Sequence, residues 1–191
     1  MLKVQAGQLD QLGLLFERYN KSLYGFFYRL TTDGAISEDL VQNVFVRIIK
    51  YSHTYKGDGK FSTWMYHIAR NLFADHYKLQ KKMGYKEEPE VADKYFRDEF
   101  NAEEKRIKEE QLDMLQLAMN RLSVEKREVL VLSKYQGMRY QDIAEVLDIT
   151  ESAVKVRIFR ALKDLKVQYG ILDVVNSQGT LNGDIKIIKK K

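Results

Sequence analysis

The apolar positions of this chain recur every three or four residues, the spacing that lines one face of a helix. Leu12, Leu15, Phe16, Tyr19, Leu23, Phe27 and Leu30 predict one long helix over about residues 8–31. The stretch Thr31–Ile36, with Asp33-Gly34, breaks it. Ser37 is placed to cap a second helix, with Glu38 and Asp39 in the first turn, where the helix dipole favours negative charge. There Leu40/Val41, Val44/Phe45 and Ile48/Ile49 make a wide stripe, and Asp39, Gln42, Asn43 and Arg47 take the other faces. A Gly-containing loop, Tyr55–Lys60, leads into a helix with Phe61, Met65, Ile68, Leu72 and Phe73 inward. Ile107, Leu112, Leu115, Met119 and Leu122 predict another, and Ser123 caps a further one over Val124–Tyr135 that ends at Gly137.

The clearest local pattern runs from Arg139 to Lys166. Ile143, Ala144 and Leu147 make Gln141–Leu147 a short amphipathic helix, and Asp148-Ile149-Thr150 interrupts it. Thr150 is a good N-cap for a second helix carrying Val154, Ile158, Ala161, Leu162 and Leu165 on one face. Two helices joined by so short a turn form a helix-turn-helix. The turn needs a positive φ, for which Gly would be easier than Asp148. Ser152, Lys155, Val156 and Phe159 point away from the apolar stripe, with Arg157 and Arg160 on its flanks. A helix that is apolar inside and basic outside fits a major groove, although a solvated face is the plainer alternative. Gly170 is expected to end this helix. The tail 171–191 alternates weakly, as a marginal hairpin or a disordered segment would.

Composition sharpens this into an all-α protein of two small helical domains. The single Pro and 11 Gly among 191 residues leave long helices unbroken, and the absence of Cys excludes disulfides and Cys-ligated zinc. No signal peptide or bilayer-length apolar run is present, so a soluble cytoplasmic protein is expected. The net charge of +5 is unevenly spread: residues 86–104 hold eight acidic and three basic side chains, a local −5, leaving +10 elsewhere. A basic body with an acidic linker suggests a polyanion binder. The resulting division is 8–82, a linker 83–104, 105–170 ending in the helix-turn-helix, and the tail.

Candidate chemistry is that of binding. In FSTWMYHIARNLFADHYKLQKK, cations interleave with Trp64 and Tyr66, as single-stranded nucleic acid requires. For Trp64 an ordinary core position is the competing reading. Gly59-Lys60 does not make a phosphate loop, because Thr54 and Phe61 stand where that motif needs Gly and Ser or Thr. His53, His67 and His76 lack metal-ligand spacing. No catalytic constellation, metal site, cofactor or small-molecule substrate is expected.

SEDLVQNVFVRI followed by FSTWMYHIARN resembles domain two of the extracytoplasmic-function (ECF) sigma factors of bacterial RNA polymerase. REVLVLSKYQGMRYQDIAEVLDITESAVKVRIFRAL resembles their domain four, and the likeness spans about residues 8–170. The resemblance implies that Asp39, Leu40, Val41, Gln42 and Asn43 dock on core polymerase. It implies that the loop Lys56, Gly57, Asp58, Gly59, Lys60, Phe61 and Ser62 accepts a base flipped from the minus-10 element. Trp64, His67, Arg70 and Asn71 would then hold the melted strand. Ser152, Lys155, Val156, Phe159 and Arg160 would face the minus-35 duplex, with Arg157 nearer the backbone. The acidic linker would thread the polymerase's RNA channel, and an anti-sigma factor is a partner the family often has. Asn43 departs from a commonly acidic position, and Asp148 from a frequent Gly. The alternative is a free-standing helix-turn-helix regulator whose N-terminal part senses a signal or dimerises.

Overall fold

The computed structural model describes residues 1–8, 10–84 and 102–188, with side chains described outside 102–109 and 175–188. The linker expected at 83–104 therefore lies largely outside the described residues. The helices are α1 (Leu2–Gln5), α2 (Gln11–Thr31), α3 (Gly34–Lys50), α4 (Phe61–Lys82), α5 (Ala102–Asn120), α6 (Val124–Leu130), α7 (Tyr140–Leu147) and α8 (Glu151–Ile188). No strand occurs among the described residues, in line with the all-α expectation.

Helices α2, α3 and α4 bundle around Leu23, Phe26, Phe27, Leu30, Val44, Ile48 and Met65, each 0–1% exposed. Burying each such side chain stabilises the fold by about 1.5–3 kcal/mol before chain entropy is counted. Helices α5 to α8 build a second group around Met119, Val129, Leu132, Ile143, Val146 and Val154. The two groups share one continuous apolar core. Polar contacts cross the seam as well: Arg127 Nη1 donates to Leu30 O at 2.9 Å, and Gln136 Oε1 accepts from Ser22 Oγ at 2.7 Å and Tyr66 Oη at 2.6 Å.

Several boundaries move from their predicted places. α3 begins at Gly34 because the Asp33 carboxylate accepts from Ile36 N at 2.9 Å, so Asp33 is the cap. Ser37 is instead buried, its hydroxyl donating to Asp33 O at 2.5 Å. The break between α2 and α3 shrinks to Thr32, in the left-handed region at φ 59°, and Asp33. Ser123 stands at the N-cap of α6 but makes no capping bond. The segment predicted as one helix over Val124–Tyr135 changes into a π-helical turn at Val131–Tyr135. α8 runs through Gly170 rather than ending there, and its backbone stays helical to Ile188, replacing the expected hairpin or disordered tail. One Gly costs a helix about 1 kcal/mol, and Leu172, 8% exposed, packs down beyond it. Leu162, assigned to the inner stripe, is 40% exposed.

Candidate nucleic-acid interface

The loop between α3 and α4 folds over a cleft of about 240 Å³, less than the ~300–1,000 Å³ typical of small-molecule pockets. A 3-10 turn, Ser52–Thr54, brings Tyr55 against Trp64 with ring centroids 5.4 Å apart and against Phe61 at 5.9 Å. Trp64 Nε1 donates to Thr54 Oγ1 at 3.2 Å, which fixes the indole edge. Lys56, Asp58, Gly59 and Lys60 of the loop line the cleft together with Trp64 and His67 of α4. Gly57 adopts φ +79°, the left-handed region Gly enters at no steric cost. Phe61 is half-buried against the core, Ser62 is half-buried, and Arg70 and Asn71 follow along α4, their side chains 3.5 Å apart.

Four lining residues escaped the sequence reading: Thr54, Tyr55, Thr63 and Glu145. Tyr55 belonged to the predicted loop but stood one position before the stretch assigned to accept a base, and its ring chemistry could have flagged it. Thr63 is 6% exposed, and its Oγ1 is buried without a hydrogen-bond partner. Glu145 comes from α7, and no local pattern could have placed it there. Conversely, Tyr66 is 3% exposed, and burial pushes its phenol up to about 12 while Ser22 and Gln136 take its hydroxyl. Tyr66 is a seam residue and cannot stack on a base.

One side of the cleft is bordered by α7. α7 lies across α4, and Lys60 Nζ pairs with Asp142 Oδ2 at 2.5 Å beside Glu145. Further along, Arg70 Nε lies 3.6 Å from Glu128 Oε1, an ion pair too long for a hydrogen bond. Glu128 is 5% exposed, and burial pushes its carboxyl up to about 7 against the pull of Arg70 and Arg157. Carboxylates of the second helix group thus meet the cations expected to hold a DNA strand.

The face of α8 is open. Ser152, Lys155, Val156, Phe159 and Arg160 are all exposed, Phe159 at 71%, while Val154, Ile158 and Ala161 are buried beneath them. Arg157 is half-buried at the edge. The helix starts as predicted: Asp148 takes φ 53°, and Thr150 Oγ1 accepts from Ala153 N at 3.1 Å. Lys155 pairs with Glu151 one turn back at 2.8 Å, which holds its ammonium above the usual lysine range. On α3, Asp39, Gln42 and Asn43 face outward, but Leu40 and Val41 are each 6% exposed and belong to the core. Val41 still reaches a shallow cleft between α2 and α3 beside Phe16, Tyr24 and Gln42.

Residues 15–83 match the family described as Sigma-70 region 2, and residues 112–165 match Sigma-70, region 4. The chain belongs to the ECF sigma factors. It is 27% identical over 166 residues to "ECF RNA polymerase sigma factor SigX" of Bacillus subtilis, covering 83% of this chain and 84% of that protein. It is 29% identical over 161 residues to "ECF RNA polymerase sigma factor SigM" of the same organism, covering 81% and 93%. Among solved structures, the sigma factor RpoE in complex with the anti-sigma factor NepR from Bartonella quintana superposes with a TM-score of 0.68 at 21% identity, covering 84% of this chain and 98% of that one. CnrH in complex with the cytosolic domain of CnrY gives 0.66 at 22% identity, covering 91% and 94%. At such identity these likenesses establish the fold. As a sigma factor the chain directs promoter-specific transcription by core RNA polymerase. Because both helix groups match, and not the helix-turn-helix alone, a free-standing regulator is not favoured. No helix among the described residues is long and apolar enough to cross a membrane.

Proposed function

We propose that this sigma factor reads promoters through two surfaces, one on the open face of α8 and one bordered by the carboxylates of α7, and that the second becomes available to DNA on polymerase. The exposed face of α8 reads the minus-35 duplex: Lys155, Arg160 and Ser152 supply polar contacts to base edges, and Val156 and Phe159 supply apolar contact for thymine methyls. Arg157, set back at the edge, serves the phosphates. The α3–α4 loop captures one base of the minus-10 strand, with Trp64 and Tyr55 as the aromatic wall and Lys56, Lys60, His67, Arg70 and Asn71 along the strand.

The observation that carries this reading is Thr63, a buried hydroxyl without a partner in a cleft walled by aromatic rings. An unpaired buried polar group costs about 1–3 kcal/mol, and the edge of an inserted base would satisfy it. Base capture of this kind offsets the few kcal/mol of unstacking. The chain traps bases and the polymerase performs the chemistry, so the sigma factor acts without being an enzyme.

Asp142 and Glu145 stand where strand phosphates would run, so DNA enters only when α7 leaves. Core polymerase, gripping Asp39, Gln42 and Asn43 on α3, holds the two helix groups apart, in domains of about 8–82 and 105–170. The acidic linker runs through its RNA channel, where carboxylates imitate a transcript. An anti-sigma factor, such as the NepR bound to the similar RpoE, would keep the groups together in the cytoplasm. The test is run-off transcription with and without core polymerase, with permanganate footprinting of the minus-10 strand. Promoter-specific transcripts and strand opening are expected only in the combined reaction. Tight, specific duplex binding by the isolated chain, with no strand opening when polymerase is added, would refute it.

A further inference from the structure

The base-capture loop has a support outside both helix groups. Gln5, on the single turn α1, donates both N–H bonds of its side-chain amide, to Ser52 O at 2.5 Å and to Tyr55 O at 2.7 Å. These carbonyls sit at the two ends of the 3-10 turn: Ser52 O also accepts from Tyr55 N at 3.1 Å, the bond that closes the turn, and Tyr55 O lies just past its end. An amide nitrogen carries only two protons, so its whole donor capacity is spent on this turn. α1 is itself anchored, because Val4 is 4% exposed and Met1 packs on the core. Leu2 lies over Gly57, its Cδ2 3.2 Å from where a Cβ would project, so it also closes on the loop's left-handed residue.

From Gln5 the constraint passes directly to the cleft. The turn it clamps presents Thr54 Oγ1 to Trp64 Nε1 and sets the Tyr55 ring against Trp64 and Phe61. Tyr55 Oη in turn donates to Gly59 O at 3.1 Å across the loop. Without the clamp, the exposed residues 56–60 would have to be ordered by the incoming base, and that entropy would be subtracted from its binding.

We infer that Gln5 is a positioning residue for minus-10 base selection, holding the α3–α4 loop in its capture geometry before DNA arrives. The inference rests on the base-capture reading above. The test uses the full chain assembled with core polymerase on a promoter recovered from the transcription experiment, with each of the four bases placed at each minus-10 position. Open-complex formation is followed by the fluorescence of 2-aminopurine in the non-template strand. Gln5→Glu, which cannot donate and sets a carboxylate beside two carbonyls, is expected to cut discrimination between preferred and disfavoured bases by roughly tenfold. Binding to minus-35 duplex should be unchanged. Gln5→Lys, whose ammonium can donate to both carbonyls, should recover much of the loss. The inference is overturned if Gln5→Glu keeps full discrimination while Trp64→Ala loses it. It is equally overturned if Gln5→Glu weakens minus-35 binding as much as base selection, because the turn would then serve overall folding alone. If Trp64→Ala also leaves discrimination intact, the base-capture reading itself fails and takes this inference with it.

Discussion

The two regions proposed to face DNA are built in opposite ways. The α8 face comes from one continuous helix whose apolar stripe is buried in its own helix group, which leaves Lys155, Val156, Phe159 and Arg160 exposed. The cleft at the α3–α4 loop comes from separate pieces: α1 clamps its turn, α4 supplies Trp64 and Thr63, and α7 borders it with Glu145 and pairs Asp142 with Lys60. A surface on one rigid helix needs no partner to be ready. A surface assembled from several segments can be held ready and yet screened by neighbouring carboxylates, which suits capture of a base that is available only after a duplex opens.

That contrast can be tested at its seam first. Glu128 has its pKa raised from 4.5 to about 7 by burial. The folded, closed form therefore binds the proton more tightly than the unfolded chain. Its stabilising contribution is complete below about pH 4.5 and is lost as pH climbs through about 7. Glu128→Gln should flatten this slope and raise stability at pH 8 by about 2–3 kcal/mol. Thermal melts across pH 5 to 8 read it directly, and parallel curves for parent and variant would mean that burial of Glu128 does not strain the seam.

Next come the two surfaces themselves. Phe159→Ala should weaken minus-35 duplex binding by about 1–3 kcal/mol and relax base preference there, without lowering the melting temperature of a chain in which Phe159 packs so little. Trp64→Ala should cost about 1–3 kcal/mol in binding a minus-10 single strand, and, unlike Phe159→Ala, it should also destabilise the fold through its lost contacts with Tyr55 and Phe61. A Trp64 variant with normal strand binding would reduce that indole to a core residue. The smallest effect belongs to Asp142→Ala. Lys60 is half exposed, so freeing it should change the seam by no more than about 1 kcal/mol. Even so, the isolated chain should bind minus-10 single strand several-fold more tightly in a filter-binding assay. No gain in that assay would show that α7 does not compete with DNA.

What was legible beforehand tracks how local each signal is. The helix-turn-helix could be read because its apolar spacing, the Thr150 cap and the Asp148 turn all act within a few residues of one another. The same locality misled at Ser37, Ser123 and Gly170. Asp33 offered a better-placed carboxylate than Ser37, Ser123 made no capping bond, and packing of Leu172 overrode the helix-ending tendency of Gly170. Tyr66 was assigned to a nucleic-acid face by composition, and the partners that take its hydroxyl, Ser22 of α2 and Gln136 after the π-helical turn, are distant in sequence.

By itself, then, the order of residues determined the helices from α2 to α8 apart from some of their ends, the outward basic face of α8 and the membership in the sigma family. Only the tertiary structure decided that Gln5 meets Ser52 and Tyr55, that Lys60 meets Asp142, and that Glu128 is buried beside Arg70. The physical reason is chain separation. A cap or an apolar stripe is an interaction between near neighbours and leaves its mark in the sequence. A contact between residues 82 positions apart depends on how whole helices pack, and no short pattern records it.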